Sequence, residues 1–241
     1  MSSMENANQR LILTHAVLIG LTPLIPLPLL DDLTKTYLQR RLARKLLAAH
    51  GEQLSVQEIQ ALADDPNGGC LSGCLSMILL YPIKKIFRKI FFFLEWKRAI
   101  DLVSRAYHHG YLLDYALQQG WRPPTPSAPQ LRVAIDDVCR EVGTSPIEHA
   151  VRATFNQSKE ALKNAATLLA RSLQGIRKRP AAEEVAAAVE AVEEQEERQI
   201  EGVTARLQKN FEKIPAEHFQ RLCARLAARL TTADTTKRGN I

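Results

Sequence analysis

Apolar residues recur along most of this chain at spacings of three and four, the period of an amphipathic helix. Leu131, Ile135, Val138 and Val142 mark one such face in the second half. Ser145-Pro146-Ile147-Glu148 then supplies an N-cap, a proline at the first helical position and a capping-box glutamate. The stripe Ile147, Val151, Phe155, Leu162, Leu169 and Leu173 predicts one helix, stopped by Gly175, Arg177-Lys178-Arg179 and Pro180. A long helix is expected next, carrying Val185, Val189, Val192, Ile200, Val203, Leu207, Phe211 and Ile214 on its buried face. Pro215 turns the chain into a last helix with Phe219, Leu222, Leu226 and Leu230.

The first half is helical by the same signals but more apolar. Residues 11–30, "LILTHAVLIGLTPLIPLPLL", hold no charge and break at Pro23, Pro26 and Pro28. Asp31 and Asp32 favour the start of a second helix, because acidic side chains stabilise the positive end of its dipole. It runs to His50-Gly51, with Leu38, Leu42 and Leu46 on one face and Arg40, Arg41 and Arg44 on the other. Ser55-Val56-Gln57-Glu58 caps a short third helix, "DDPNGG" reads as a loop, and Pro82 opens a helix expected to end near Gly110. With no internal repeat and no strand pattern, the fold class is all-α, a helical bundle with a C-terminal hairpin array. "WRPPTPSAPQ", with four prolines in ten residues, separates Leu-, Ile- and Phe-rich sequence from Ala- and Glu-rich sequence. The expected division is an apolar, membrane-associated domain over 1–120, a linker over 121–130 and a helical bundle over 131–241.

Residues 74–96, "CLSMILLYPIKKIFRKIFFFLEW", raise the question of location. Only 14 residues from Cys70 to Ile83 are free of charge, short of the about 20 a spanning helix requires. Extending a span through Lys84, Lys85, Arg88 and Lys89 would cost roughly 12 kcal/mol, at about 3 kcal/mol per buried cation. Lying on a surface is cheaper. Each basic residue near anionic lipid contributes about 1 kcal/mol, while Phe87, Phe91, Phe92, Phe93 and Trp96 suit headgroup depth. Lys84, Lys85, Arg88, Lys89, Phe91, Phe92, Phe93 and Trp96 are therefore the candidate lipid-binding set. Residues 11–30 either enter a membrane as a kinked segment or form the core of a soluble bundle, and a mean hydropathy of −0.17 is compatible with the latter.

"IGLTPLIPLPLLDDLTKTYLQRRLARKLLAAHGEQLSVQEIQAL" (19–62) combines a proline-broken apolar run, an acidic step, a Gln- and Arg-bearing helix, then a glycine and a capped helix. Through Pro23, Pro26, Asp31, Asp32, Gln39 and Gly51 it resembles the segment shared by EcsC-like and YcjF-like bacterial proteins. The resemblance implies a mostly helical, membrane-associated protein and no particular chemistry.

Charge agrees with a surface role. The net +6 is concentrated in residues 1–180, while 181–241 is net acidic. Four cysteines, Cys70, Cys74, Cys139 and Cys223, are too few for a disulfide framework and read as reduced thiols, placing the chain on the cytoplasmic face of a membrane or in the cytoplasm. "MSSMENANQR" and the run after it lack the pattern of a signal peptide.

Candidate chemistry is sparse. Cys70 and Cys74 with His108 and His109 would make an irregular zinc set, since metal knuckles use C-x2-C and adjacent helical histidines point about 100° apart. Neither a metal nor a cofactor is expected. Asp101, Arg105, His108, His109 and Asp114, interleaved with Tyr107, Tyr111 and Tyr115, form the densest polar cluster. It suits either a general acid/base site or a structural helix end. No phosphate-binding, nucleophile-elbow or metalloprotease motif occurs. Arg221, Arg225 and Arg229 form a basic stripe, and Arg225 and Arg229 are expected to meet Glu197 or Glu201 across an antiparallel turn, which argues against nucleic acid. The functional expectation is a non-enzymatic scaffold or adaptor, holding anionic lipid with its first half and a protein partner with its second. The alternatives are a soluble all-α adaptor and an enzyme or metal site around His108 and His109.

Overall fold

A computed structural model describes residues 3–25, 30–64, 88–173 and 181–238. Among the described residues the chain is all-α, with ten helices and no strand. They are α1 (Ser3–Leu21), α2 (Leu30–Ala49), α3 (Val56–Ala63), α4 (Arg88–Gln118), α5 (Ala128–Val142), α6 (Ser145–Gln157), α7 (Lys159–Leu173), α8 (Ala182–Glu190), α9 (Glu193–Phe211) and α10 (Ala216–Arg238).

The uncharged run of the first half becomes the centre of the molecule. Ile12, Leu13, Ala16, Val17, Leu18, Ile19 and Leu21 are buried on every side of α1. A helix apolar all round belongs in a core or a membrane; here α1 lies mainly along α4, with α2, α7 and α9 closing the remaining sides. Its approach to α4 depends on Gly20, where an added Cβ would stand 2.2 Å from Val103 Cγ2. The helix stops in a 3₁₀ turn, Thr22–Leu24, because Pro23 cannot continue the hydrogen-bond ladder. The Thr22 hydroxyl donates to the Ile19 carbonyl at 2.8 Å.

Helix α2 follows the predicted pattern. Leu38, Leu42 and Leu46 are buried, Arg40 pairs with Asp64 at 2.6 Å and Arg41 with Glu190 at 2.8 Å. Gly51, at φ +75°, closes it in a Schellman motif, with Gly51 N–H on the Ala48 carbonyl and Glu52 N–H on that of Leu47. Ser55 and Glu58 make the expected capping box on α3.

Three boundaries differ from the sequence expectation. Helix α4 does not end near Gly110; it continues to Gln118, and Gly120, at φ +77°, is the residue that closes it. Gly110 serves close packing instead, since a Cβ there would sit 2.9 Å from Ile12 Cγ2. The stripe over 145–173 divides into α6 and α7 at Ser158. Arg206 of α9 donates to the Gln157 carbonyl and, at 2.7 Å, to the Ser158 hydroxyl, satisfying polar groups exposed by the break. The long helix over 182–214 also breaks, at Ala191–Val192, where Val192 has φ −115° and ψ −1°.

Helix α10 packs on α5 and α4. Arg225 and Arg229 therefore do not meet Glu197 or Glu201. Arg225 pairs with Glu141 at 3.2 Å, and Arg229 with Asp137 at 2.9 Å and Glu141 at 3.3 Å, all on α5. Glu201 instead reaches Arg10 of α1 at 2.9 Å. The buried apolar side chains form one connected cluster from Ile12 to Leu230, with contributions from both sides of residues 121–130.

Candidate functional site

The expected lipid-binding set leads into α4. Lys84 and Lys85 lie outside the described residues, as do Cys70 and Cys74, and so do the side chains of Arg88, Lys89, Phe91 and Phe92. Phe93 is 67% exposed and Leu94 52%, an apolar pair turned outward at the first turns of α4. Trp96, only 7% exposed, turns inward onto Phe155, with ring centroids 5.5 Å apart. It supports the core and does not share the surface of Phe93. No helix among the described residues is long and apolar enough to cross a membrane.

The middle of α4 carries the polar cluster. His108 is fully buried; its Nδ1 stands 2.6 Å from the Ser104 carbonyl and its Nε2 3.3 Å from Nε2 of His218 on α10. A carbonyl only accepts, so Nδ1 carries the proton. The neutral ring then offers Nε2 as an acceptor and His218 donates to it. Burial holds the His108 pKa down to about 4 and also lowers that of His218, so this pair is neutral near pH 7. His109, on another side of α4, has its ring nitrogens enclosed beside the Leu62 carbonyl and the Arg132 guanidinium. Burial, then Arg132, pushes its pKa far below the usual imidazole value. Arg132 caps the end of α3 by donating to the Leu62 and Ala63 carbonyls at 3.0 and 2.9 Å. Thus His108 and His109 face different neighbours, and the structure does not bring them together. Asp101 and Arg105 lie on more open parts of α4.

Asp114 is the node of a second network. Its Oδ1 accepts from Asn8 Nδ2 at 2.7 Å and from His50 Nε2 at 2.8 Å, and its Oδ2 from Gln118 Nε2 at 2.8 Å. It lies at the wall of a cleft of about 650 Å³ between α4 and the corner joining α9 to α10. Tyr107 and Tyr111, one turn apart, stack with centroids 6.1 Å apart and planes at 18°. Phe211 meets Tyr107 edge-on at 4.6 Å, and Phe219 tilts onto Tyr111 at 5.2 Å. The Cys223 thiol donates to the Tyr111 hydroxyl over 3.7 Å. Burial raises the pKa of both tyrosines and of Cys223, and lifts the Cys139 thiol to about 12, so these groups stay protonated. Tyrosine hydroxyls, glutamine amides, aromatic rings and the carboxylates of Asp114 and Glu212 line the cleft.

Sequence reading found the α4 members of both networks by their density. It did not link to them Asn8, Phe211, His218 and Phe219, which lie on other helices, or His50, in the turn after α2. Phe211 and Phe219 stood out only as buried-stripe positions and His50 only as a helix end. Among the described residues no group of three or more His, Cys, Asp or Glu side chains could hold a metal ion. Comparison of the chain with family models, curated proteins and solved structures gives no match.

Proposed function

We infer that this protein is a helical scaffold that docks peripherally on an anionic membrane surface through the segment entering α4. The observation that carries the reading is the exposed pair Phe93 and Leu94, four residues beyond the cluster Lys84, Lys85, Arg88 and Lys89. Two apolar side chains left in water gain on entering a headgroup layer, by up to about 1.5–3 kcal/mol each if fully buried. Four cations would add up to roughly 4 kcal/mol on anionic lipid. Together these support reversible attachment. The resemblance of residues 19–62 to membrane-associated helical proteins favours the same location, and the free thiols Cys139 and Cys223 suit its reducing, cytoplasmic side.

Vesicle flotation tests the reading. Binding should rise with the anionic lipid fraction and fall with salt, as screened charges lose their reach. Changing Lys84, Lys85, Arg88 and Lys89 to Gln should weaken partitioning by up to about a thousandfold, and Phe93→Ser with Leu94→Ser should weaken it on every lipid composition. Both variants should fold. A wild-type protein that stays with the unbound fraction at low salt and high anionic content would leave a soluble adaptor with the same core.

A further inference from the structure

The cleft between α4 and the α9–α10 corner is opposite in sign to the net charge of the chain. The chain carries a net +6, yet the charged side chains lining this cleft are Asp114 and Glu212, with no Lys, Arg or His among them. Half-buried Tyr111, Tyr115 and Phe219 bring ring surface to it, while Tyr107 and Phe211, which also line it, are 1% and 3% exposed and pack edge to face on each other. Aromatic faces carry the negative part of the ring quadrupole and attract cations, most strongly where water is excluded. Asp114 is fixed by three donors, and three of its four lone-pair positions are used, so one acceptor site on Oδ2 remains. The volume of about 650 Å³ falls within the range of small-molecule sites. We propose that this cleft binds a small hydrophobic organic cation, an aryl- or alkyl-substituted onium compound, with its apolar body on the ring faces and its charge toward Asp114 and Glu212. An organic anion would meet two carboxylates there. A bare metal ion would find too few oxygen ligands and would make no use of the rings.

A matched pair of probes isolates the sign of the charge. Tetraphenylphosphonium and tetraphenylborate share size and shape and differ in charge. By titration calorimetry on the full chain without lipid, the phosphonium should bind saturably at one site, and the borate should bind at least about tenfold more weakly. Attraction by the net positive surface alone gives the opposite order. Glu212→Gln, an exposed change at the rim, should weaken phosphonium binding several-fold. Tyr111→Leu should weaken it about tenfold if circular dichroism shows the helices intact. Borate binding equal to or tighter than phosphonium binding, absence of saturable phosphonium binding, or unchanged affinity in Glu212→Gln would each overturn the proposal.

Discussion

Charging His108 would place an imidazolium in a fully enclosed site whose nearest polar neighbours are the Ser104 carbonyl and the ring of His218, with Tyr107 edge-on at 6.5 Å. The folded protein therefore holds this ring neutral down to about pH 4, against 6.5 for a free histidine. Above pH 6.5 the ring is neutral whether the chain is folded or not, and no stability is lost. Below it the unfolded chain takes up a proton that the folded chain refuses. Stability should then decline through the window from about 6.5 to about 4, by up to roughly 3 kcal/mol from His108 alone. His109 and His218, lowered by burial in the same direction, steepen the decline. Urea midpoints measured from pH 7.5 to 4.5 check this: the wild type should hold to about pH 6.5 and fall below it, and His108→Gln should fall less steeply. A flat wild-type profile would mean that the rings are hydrated.

Between elements, the arginines of α10 link two surfaces whose charges are spaced one turn apart, Arg225 and Arg229 against Asp137 and Glu141. These side chains are well exposed, so each pair contributes about 0.2–1 kcal/mol. Arg225→Ala with Arg229→Ala should lower the unfolding free energy by about 0.5–2 kcal/mol at low salt and less at high salt. Coupling should appear in a double-mutant cycle with Glu141→Ala and be absent with Glu197→Ala. Internal pairing of the stripe was legible in the sequence; the partner helix was not, because the residues between Phe211 and Ala216 do not encode where the next helix lands. The cap of Ser55 with Glu58 was legible because both partners are local. At Ser145 the expected capping box does not form: Thr144 is the N-cap, without a side-chain bond, and Glu148 pairs with Arg152 at 2.6 Å. The box of Ser127 with Gln130 was read as linker. Breaks that depend on a distant group, such as Arg206 at Ser158, left no local trace. Gly110 and Gly120 show why: one glycine serves packing and the other a left-handed turn, and only tertiary contacts tell them apart. The site followed the same rule. Asp114 stood out by its setting, but Asn8 and His50 lie 106 and 64 residues away in the chain.

For the whole molecule, α1 and α4 together are the pair on which most of the other helices pack. The proline-rich stretch is tied to that body: Trp121 packs on the core, Arg122 pairs with Glu52 at 2.9 Å, and Pro123 is buried. Residues 131–241 made alone would leave the α1-facing side of α9 and the α4-facing side of α6 uncovered. That fragment should unfold without a sharp transition and bind a hydrophobic dye, whereas the full chain should unfold cooperatively. A fragment with its own sharp transition would establish two independent units. The central position of α1 also has a temporal side. Arg10 and its partner Glu201 are separated by 191 positions, a distance a ribosome covers in roughly 10–40 s at about 5–20 residues per second. Throughout that interval the uncharged part of α1, from Leu11 onward, waits for the surface that will bury it. A nascent chain in that condition is what holdase chaperones and membrane-targeting factors compete to capture, so the order of synthesis, as much as the finished surface, bears on where this protein is first drawn.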